Sequence, residues 1–101
     1  MIFKTNVPQD TLRIEMRRLL PVIDFINRTV AGREVIITST SDGKHMKGSL
    51  HYQGLAIDIR TRDLSGLTKS ILGLQLKLAL NLLCDVVVES DHIHIEYQPI
   101  G

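Results

Sequence analysis

His51 and Asp58 stand seven residues apart across a glycine turn in the stretch Gly48-Ser49-Leu50-His51-Tyr52-Gln53-Gly54-Leu55-Ala56-Ile57-Asp58. An imidazole and a carboxylate at that spacing are metal-site chemistry. Further along, Asp91-His92-Ile93-His94-Ile95-Glu96 sets His92, His94 and Glu96 on one face of an alternating segment and two isoleucines on the other, so a third ligand is available. Three ligands drawn from neutral histidine and carboxylate, with a fourth position left to water, make a catalytic zinc site. Structural zinc sites are closed by four ligands rich in cysteine, and the lone Cys84 is remote from both segments.

These residues must be held by regular elements. Leu55 to Arg60 alternates, with Leu55, Ile57 and Ile59 facing one way and Ala56, Asp58 and Arg60 the other, so Asp58 stands on the polar face of a strand. Ahead of it, the β-branched Glu34-Val35-Ile36-Ile37-Thr38-Ser39 reads as a short strand, and Thr40 to Gly48 as a loop forming a rim of the cleft. From about Gln9 to Val30, apolar residues recur every three or four positions, which predicts one amphipathic helix. Asn6 would cap it, Gly32 would stop it, and Pro21 would kink or split it. Its arginines read as a solvated face.

Leu64 to Leu83 predicts a second helix capped by Asp63 or Ser65. Leu67, Ile71, Leu74, Leu78 and Leu82 form one stripe and Leu72, Leu76, Leu80 and Leu83 another, so the helix should be central and covered on more than one side. Its internal Lys69, Gln75, Lys77 and Asn81 argue against a membrane span. Val86 to Glu89 and His92 to Tyr97 are two strands joined at Ser90-Asp91, a hairpin by spacing. The expected architecture is α+β: a small antiparallel sheet with two helices on one face and the polar residues on the other.

At 101 residues the chain is one domain, 1–101, and 44% apolar against 23% charged residues places it among globular sequences rather than disordered ones. With no Trp and only two Phe and two Tyr, the core must be aliphatic, and a bound metal would add useful stability to so small a domain. A net charge of +1, scattered basic residues and no basic aromatic patch argue against a nucleic-acid partner. The single Cys84 cannot form an intramolecular disulfide and reads as a small buried apolar residue. Met1-Ile2-Phe3-Lys4-Thr5-Asn6 shows no basic region followed by a long apolar one, so no signal peptide is visible.

Ser49-x-His51 followed by x-x-Gly54-x-Ala56-x-Asp58, with His94 late inside an apolar strand, resembles the zinc peptidases of peptidoglycan, the D-Ala-D-Ala carboxypeptidase and L-alanyl-D-glutamate endopeptidase family that includes phage endolysins. The resemblance covers roughly residues 35–97. It implies a hedgehog/DD-peptidase-like fold, a Zn2+ ion on the polar sheet face held by His51, Asp58 and His94, and hydrolysis of an amide in the peptidoglycan stem peptide. It also implies action on the cell wall after release in phage lysis or delivery in a virion.

A water activated on such a metal needs a base within hydrogen-bond reach, and Asp91, Glu89 and His92 are the candidates. The family sets its catalytic carboxylate three residues before the last ligand, which is Asp91. His92 completes a His-x-His pair like that of related wall-cleaving zinc enzymes, and Glu96 can orient a ligand histidine from behind. Ser49 and His45 are candidate substrate-binding groups. The Arg that family members usually carry after the strand preceding the loop is missing from Thr38-Ser39-Thr40-Ser41-Asp42, and Lys44 or Lys47 can substitute only as a point charge. The alternative to a peptidase is a catalytically silent zinc-binding domain of the same fold, serving binding or phage assembly.

Overall fold

The computed structural model describes residues 1–41 and 53–99. The chain opens with β1 (Ile2–Phe3), then α1 (Ile14–Arg17), α2 (Leu20–Ala31), β2 (Ile36–Ser39), β3 (Ala56–Arg60), α3 (Gly66–Ala79), β4 (Cys84–Val88) and β5 (His92–Tyr97). The strands form one sheet in the order β1-β2-β3-β5-β4. Pairings β2–β3, β3–β5 and β4–β5 are antiparallel, as the residue patterns predict, while β1 adds a parallel edge to β2 and makes the sheet mixed. Two residues cannot display an alternation, so β1 owes its existence to its partner. The Ile2 N–H donates to Val35 O and the Lys4 N–H to Ile37 O, both at 2.9 Å. The architecture is α+β.

The expected helix from 9 to 30 is two helices. The pattern is split rather than kinked at Pro21, which lies in the first turn of α2, where its missing N–H costs no hydrogen bond. Gly32 ends α2 in the left-handed conformation at φ 72°, its N–H donating to Arg28 O. Asn6 caps nothing: it sits at φ 71° outside both helices, and Arg13 precedes α1. Residues 8–13 are held out of the helix by hydrogen bonds to distant segments. The Thr40 hydroxyl donates to Pro8 O at 2.5 Å, the Arg13 N–H to Gly54 O at 3.0 Å, and the Thr11 and Ser41 hydroxyls meet at 2.8 Å. Those bonds anchor the chain on both sides of residues 42–52.

The core is aliphatic, as composition requires. Ile57, Ile59, Ile93 and Ile95 of the sheet pack in one cluster with Met16, Ile23, Leu72 and Leu76 of the helices, all fully buried. Cys84 joins them, and burial pushes its thiol pKa up to about 11. Ser65 caps α3 by accepting from the Thr68 N–H at 3.1 Å. The expectation that α3 is covered on more than one side holds in part, since the helix packs against both the sheet and α2 but keeps an open outward face. Leu72, Leu76 and Leu80 face the core, whereas Leu67, Leu74 and Leu78 are 74%, 56% and 66% exposed. The sheet lies under the helix and α2 along its flank, and among the described residues nothing packs over the outward face. No helix among the described residues is long and apolar enough to cross a membrane.

Gly54, part of the sequence motif, has a physical reason for being glycine. Its φ is +73°, and a Cβ there would lie 2.2 Å from Thr11 O. Gly54→Ala is therefore expected to cost about 2–4 kcal/mol, combining backbone strain with overpacking, and urea titration of the variant measures it.

Candidate functional site

The antiparallel register of β3 and β5 sets Asp58 directly opposite His94, Arg60 opposite His92 and Ala56 opposite Glu96. Because successive residues point to opposite faces, sinking Ile57, Ile59, Ile93 and Ile95 into the core forces Asp58, Arg60, His92, His94 and Glu96 onto the other face. The polar cluster is a consequence of where the isoleucines go.

His94 lies between two carboxylates, its Nδ1 3.0 Å from Asp58 Oδ1 and its Nε2 2.7 Å from Glu96 Oε1. The side chains of His94, Asp58 and Glu96 are 21%, 14% and 19% exposed, which limits solvent screening. The hydrogen bond to Asp58, reinforced by Glu96 and opposed by burial, raises the His94 pKa to about 9. With its pKa raised, His94 stabilises the metal-free protein fully below its unfolded value of about 6.5, and that contribution is lost as pH rises through about 9. Ligation needs the neutral ring, so zinc binding should release this proton and tighten by about tenfold per pH unit between 7 and 9. Competition titrations against a chelator of known affinity at several pH values check the slope.

Beside this pair, the Asp91 carboxylate meets His92 Nδ1 at 2.6 Å, and His92 Nε2 lies 3.9 Å from Asp58 Oδ1. The hydrogen bond with His92 holds the Asp91 carboxyl below the usual carboxylate range. Asp91 is placed by the hairpin turn and by its backbone, whose carbonyl accepts from the Thr61 N–H at 3.2 Å. Asp58, Asp91 and His92 line a cleft of about 260 Å³ together with Lys4, Thr38, Ser39, Arg60 and Arg62. Glu89 is exposed beyond the end of β4 and does not line that cleft.

The structure thus brings together Asp58, His94, Asp91 and His92, while Lys44, His45, Lys47, Ser49 and His51 lie outside the described residues. Among the described residues no cluster of three His, Cys, Asp or Glu side chains is arranged for a metal. The Asp58–His94 pair nevertheless fits a zinc ion in chemistry and spacing. Two ligand atoms at about 2.0–2.1 Å from one tetrahedral ion lie about 3.3–3.4 Å apart, close to the 3.0 Å between His94 Nδ1 and Asp58 Oδ1. Glu96 stands behind the ring at Nε2, where a carboxylate fixes the orientation and tautomer of a ligand imidazole.

Three cationic groups in the cleft were not among the residues singled out as substrate-binding. Arg60 shares a strand face with Asp58, and Arg62 follows it, so the alternation already pointed Arg60 at the site. Lys4 reaches the cleft only because β1 pairs with β2, a contact with no local signal. They supply the positive charge that the segment after β2 lacks.

No curated protein matches the chain. The family model for the Hedgehog amino-terminal signalling domain matches residues 9–97, a span that runs from the segment pinned against Gly54 to the last residue of β5 and includes both segments that carry the candidate ligands. That domain has the zinc-peptidase-like fold and is related to zinc metallopeptidases. The chain belongs to the Hedgehog amino-terminal signalling domain family.

Proposed function

We propose that the protein is a zinc-dependent peptidase that hydrolyses an amide bond in the peptidoglycan stem peptide, as a phage-type lysis or entry enzyme. The observation that carries this reading is the Asp58–His94 pair at the edge of a cleft lined by His92, Asp91 and three cationic side chains. His51, Asp58 and His94 would hold the ion, which when bound supplies Lewis acidity toward a carbonyl and makes water a stronger acid. Glu96 holds the His94 ring in place from behind. Asp91 fixes His92 through Nδ1, which leaves Nε2 directed toward Asp58 and free to take a proton from attacking water and return it to the leaving amine. Lys4, Arg60 and Arg62 favour a substrate with carboxylates near the scissile bond, which the stem peptide has, and Arg offers the bidentate geometry that Lys44 or Lys47 lacks.

A second reading, a zinc-binding module without catalysis, is favoured by the match to a signalling domain. Incubation with defined stem peptides, with and without chelator, separates the two. The peptidase reading expects a cleaved product that disappears on chelation and returns with added zinc. Stoichiometric zinc with no product from any stem peptide or intact wall supports the silent module. Chelation is also expected to lower the melting temperature in either case, because the ion ties β3, β5 and the segment carrying His51 together.

A further inference from the structure

We propose that the outward face of α3 is a self-association surface and that its occupant is the α3 of a second copy of this chain, packed antiparallel across a twofold axis. Leu67, Ile71, Leu74 and Leu78 recur at intervals of four, three and four residues, the spacing of a coiled-coil seam. At 100° per residue they lie on the pole of the helix opposite Leu72, Leu76 and Leu80, which face the core. The helix is therefore apolar on two opposite sides, and the fold uses one. Exposures of 74%, 42%, 56% and 66% leave the second seam open, and Phe25 of α2, 69% exposed, continues it through a groove it shares with Ile71.

Size and charge select the occupant. With Val22, 43% exposed, these side chains present roughly 700 Å² of surface if a fully exposed large residue is taken as about 200 Å². That approaches the roughly 800 Å² each partner contributes to a standard interface and exceeds the roughly 300–600 Å² of an ordinary monomer's largest patch. The seam is self-complementary about a point between Leu72 and Gly73: turning one copy end for end sets Leu67 against Leu78 and Ile71 against Leu74 of the second copy. Its flanks at Thr68, Ser70 and Gln75 are uncharged, and the antiparallel arrangement puts the two Lys77 side chains toward opposite ends, where they do not repel. An anionic lipid surface would be expected to meet a basic fringe, and on these flanks α3 offers Lys77 alone.

Sedimentation equilibrium on the whole chain across a wide concentration range tests this. The expected result is a reversible species of twice the chain mass, and Leu74→Glu, at the centre of the seam, should raise the dissociation constant at least about 30-fold while its circular dichroism and melting at monomeric concentrations stay those of a folded protein. Val87→Glu, on the exposed outer strand β4, serves as the control and should leave the dimer intact. A single-chain mass at every concentration overturns the proposal, and co-sedimentation with anionic phosphatidylserine vesicles would then assign the face to a membrane surface. A dimer broken by Val87→Glu and untouched by Leu74→Glu also overturns it, in favour of pairing through the β4 edge.

Discussion

His94→Ala is expected to strip the protein of stoichiometric zinc. His94 occupies the centre of the described half of the site, with Asp58 on one ring nitrogen and Glu96 on the other, and the only other imidazole on β5 cannot take its place without leaving its own bond. His92 is two residues away on the same face, but its Nδ1 is held by Asp91 and its Nε2 is 3.9 Å from Asp58 Oδ1. The affinity loss should exceed the roughly 10–100-fold that follows removal of an outer partner. Glu96→Gln supplies that comparison: it keeps an oxygen near Nε2 but removes the charge, so its loss should stay within roughly 10–100-fold. Metal analysis after exhaustive dialysis reads both variants. Full zinc occupancy in His94→Ala would remove His94 from the ligand set, and the peptidase reading would have to be rebuilt around another centre.

What could be read from the residues divides along a physical line. The alternation of isoleucine with Asp58, His92 and His94 fixed which face of the sheet would be polar, because burying one isoleucine decides the direction of every second side chain. The register that sets Asp58 against His94 was not local information, since it needs two strands separated by α3 to meet. Helix ends written in local chemistry, Ser65 and Gly32, were legible, while the break before Ile14 was not. That segment follows an apolar period of three and four and would continue as helix on its own. Hydrogen bonds from Thr40 and to Gly54, on chain segments far away in sequence, hold it in turns instead of helix. Periodicity likewise revealed both apolar stripes of α3 without telling which of them faces the core. That choice is made by the sheet, through Ile57, Ile59, Ile93 and Ile95. Lys4 in the cleft belongs with these cases, since only the pairing of β1 with β2 carries it there.

The division of labour between Asp91 and His92 has a measurable signature. The residue order points to Asp91 as the base, three positions before His94, but the geometry favours His92. Asp91 spends its near oxygen on His92 Nδ1 at 2.6 Å and is itself two-thirds exposed, whereas His92 Nε2 is the atom turned toward Asp58. His92→Ala should lower kcat by roughly 10²–10⁴, the usual range for a lost acid–base group, with zinc content unchanged. Added imidazole should restore part of the turnover, because a free ring can carry a proton where a missing side chain cannot. Asp91→Asn retains an oxygen that can accept from Nδ1–H, so the ring stays oriented and kcat should fall by less than in His92→Ala, with KM little changed. The reverse pattern, a loss of 10²-fold or more in Asp91→Asn beside a nearly active His92→Ala, would make Asp91 the proton acceptor and His92 the group that holds it. Equal and near-complete losses in both variants, with zinc retained, would mean that the two act as one unit, since groups that share a single proton-transfer step lose their function together rather than additively.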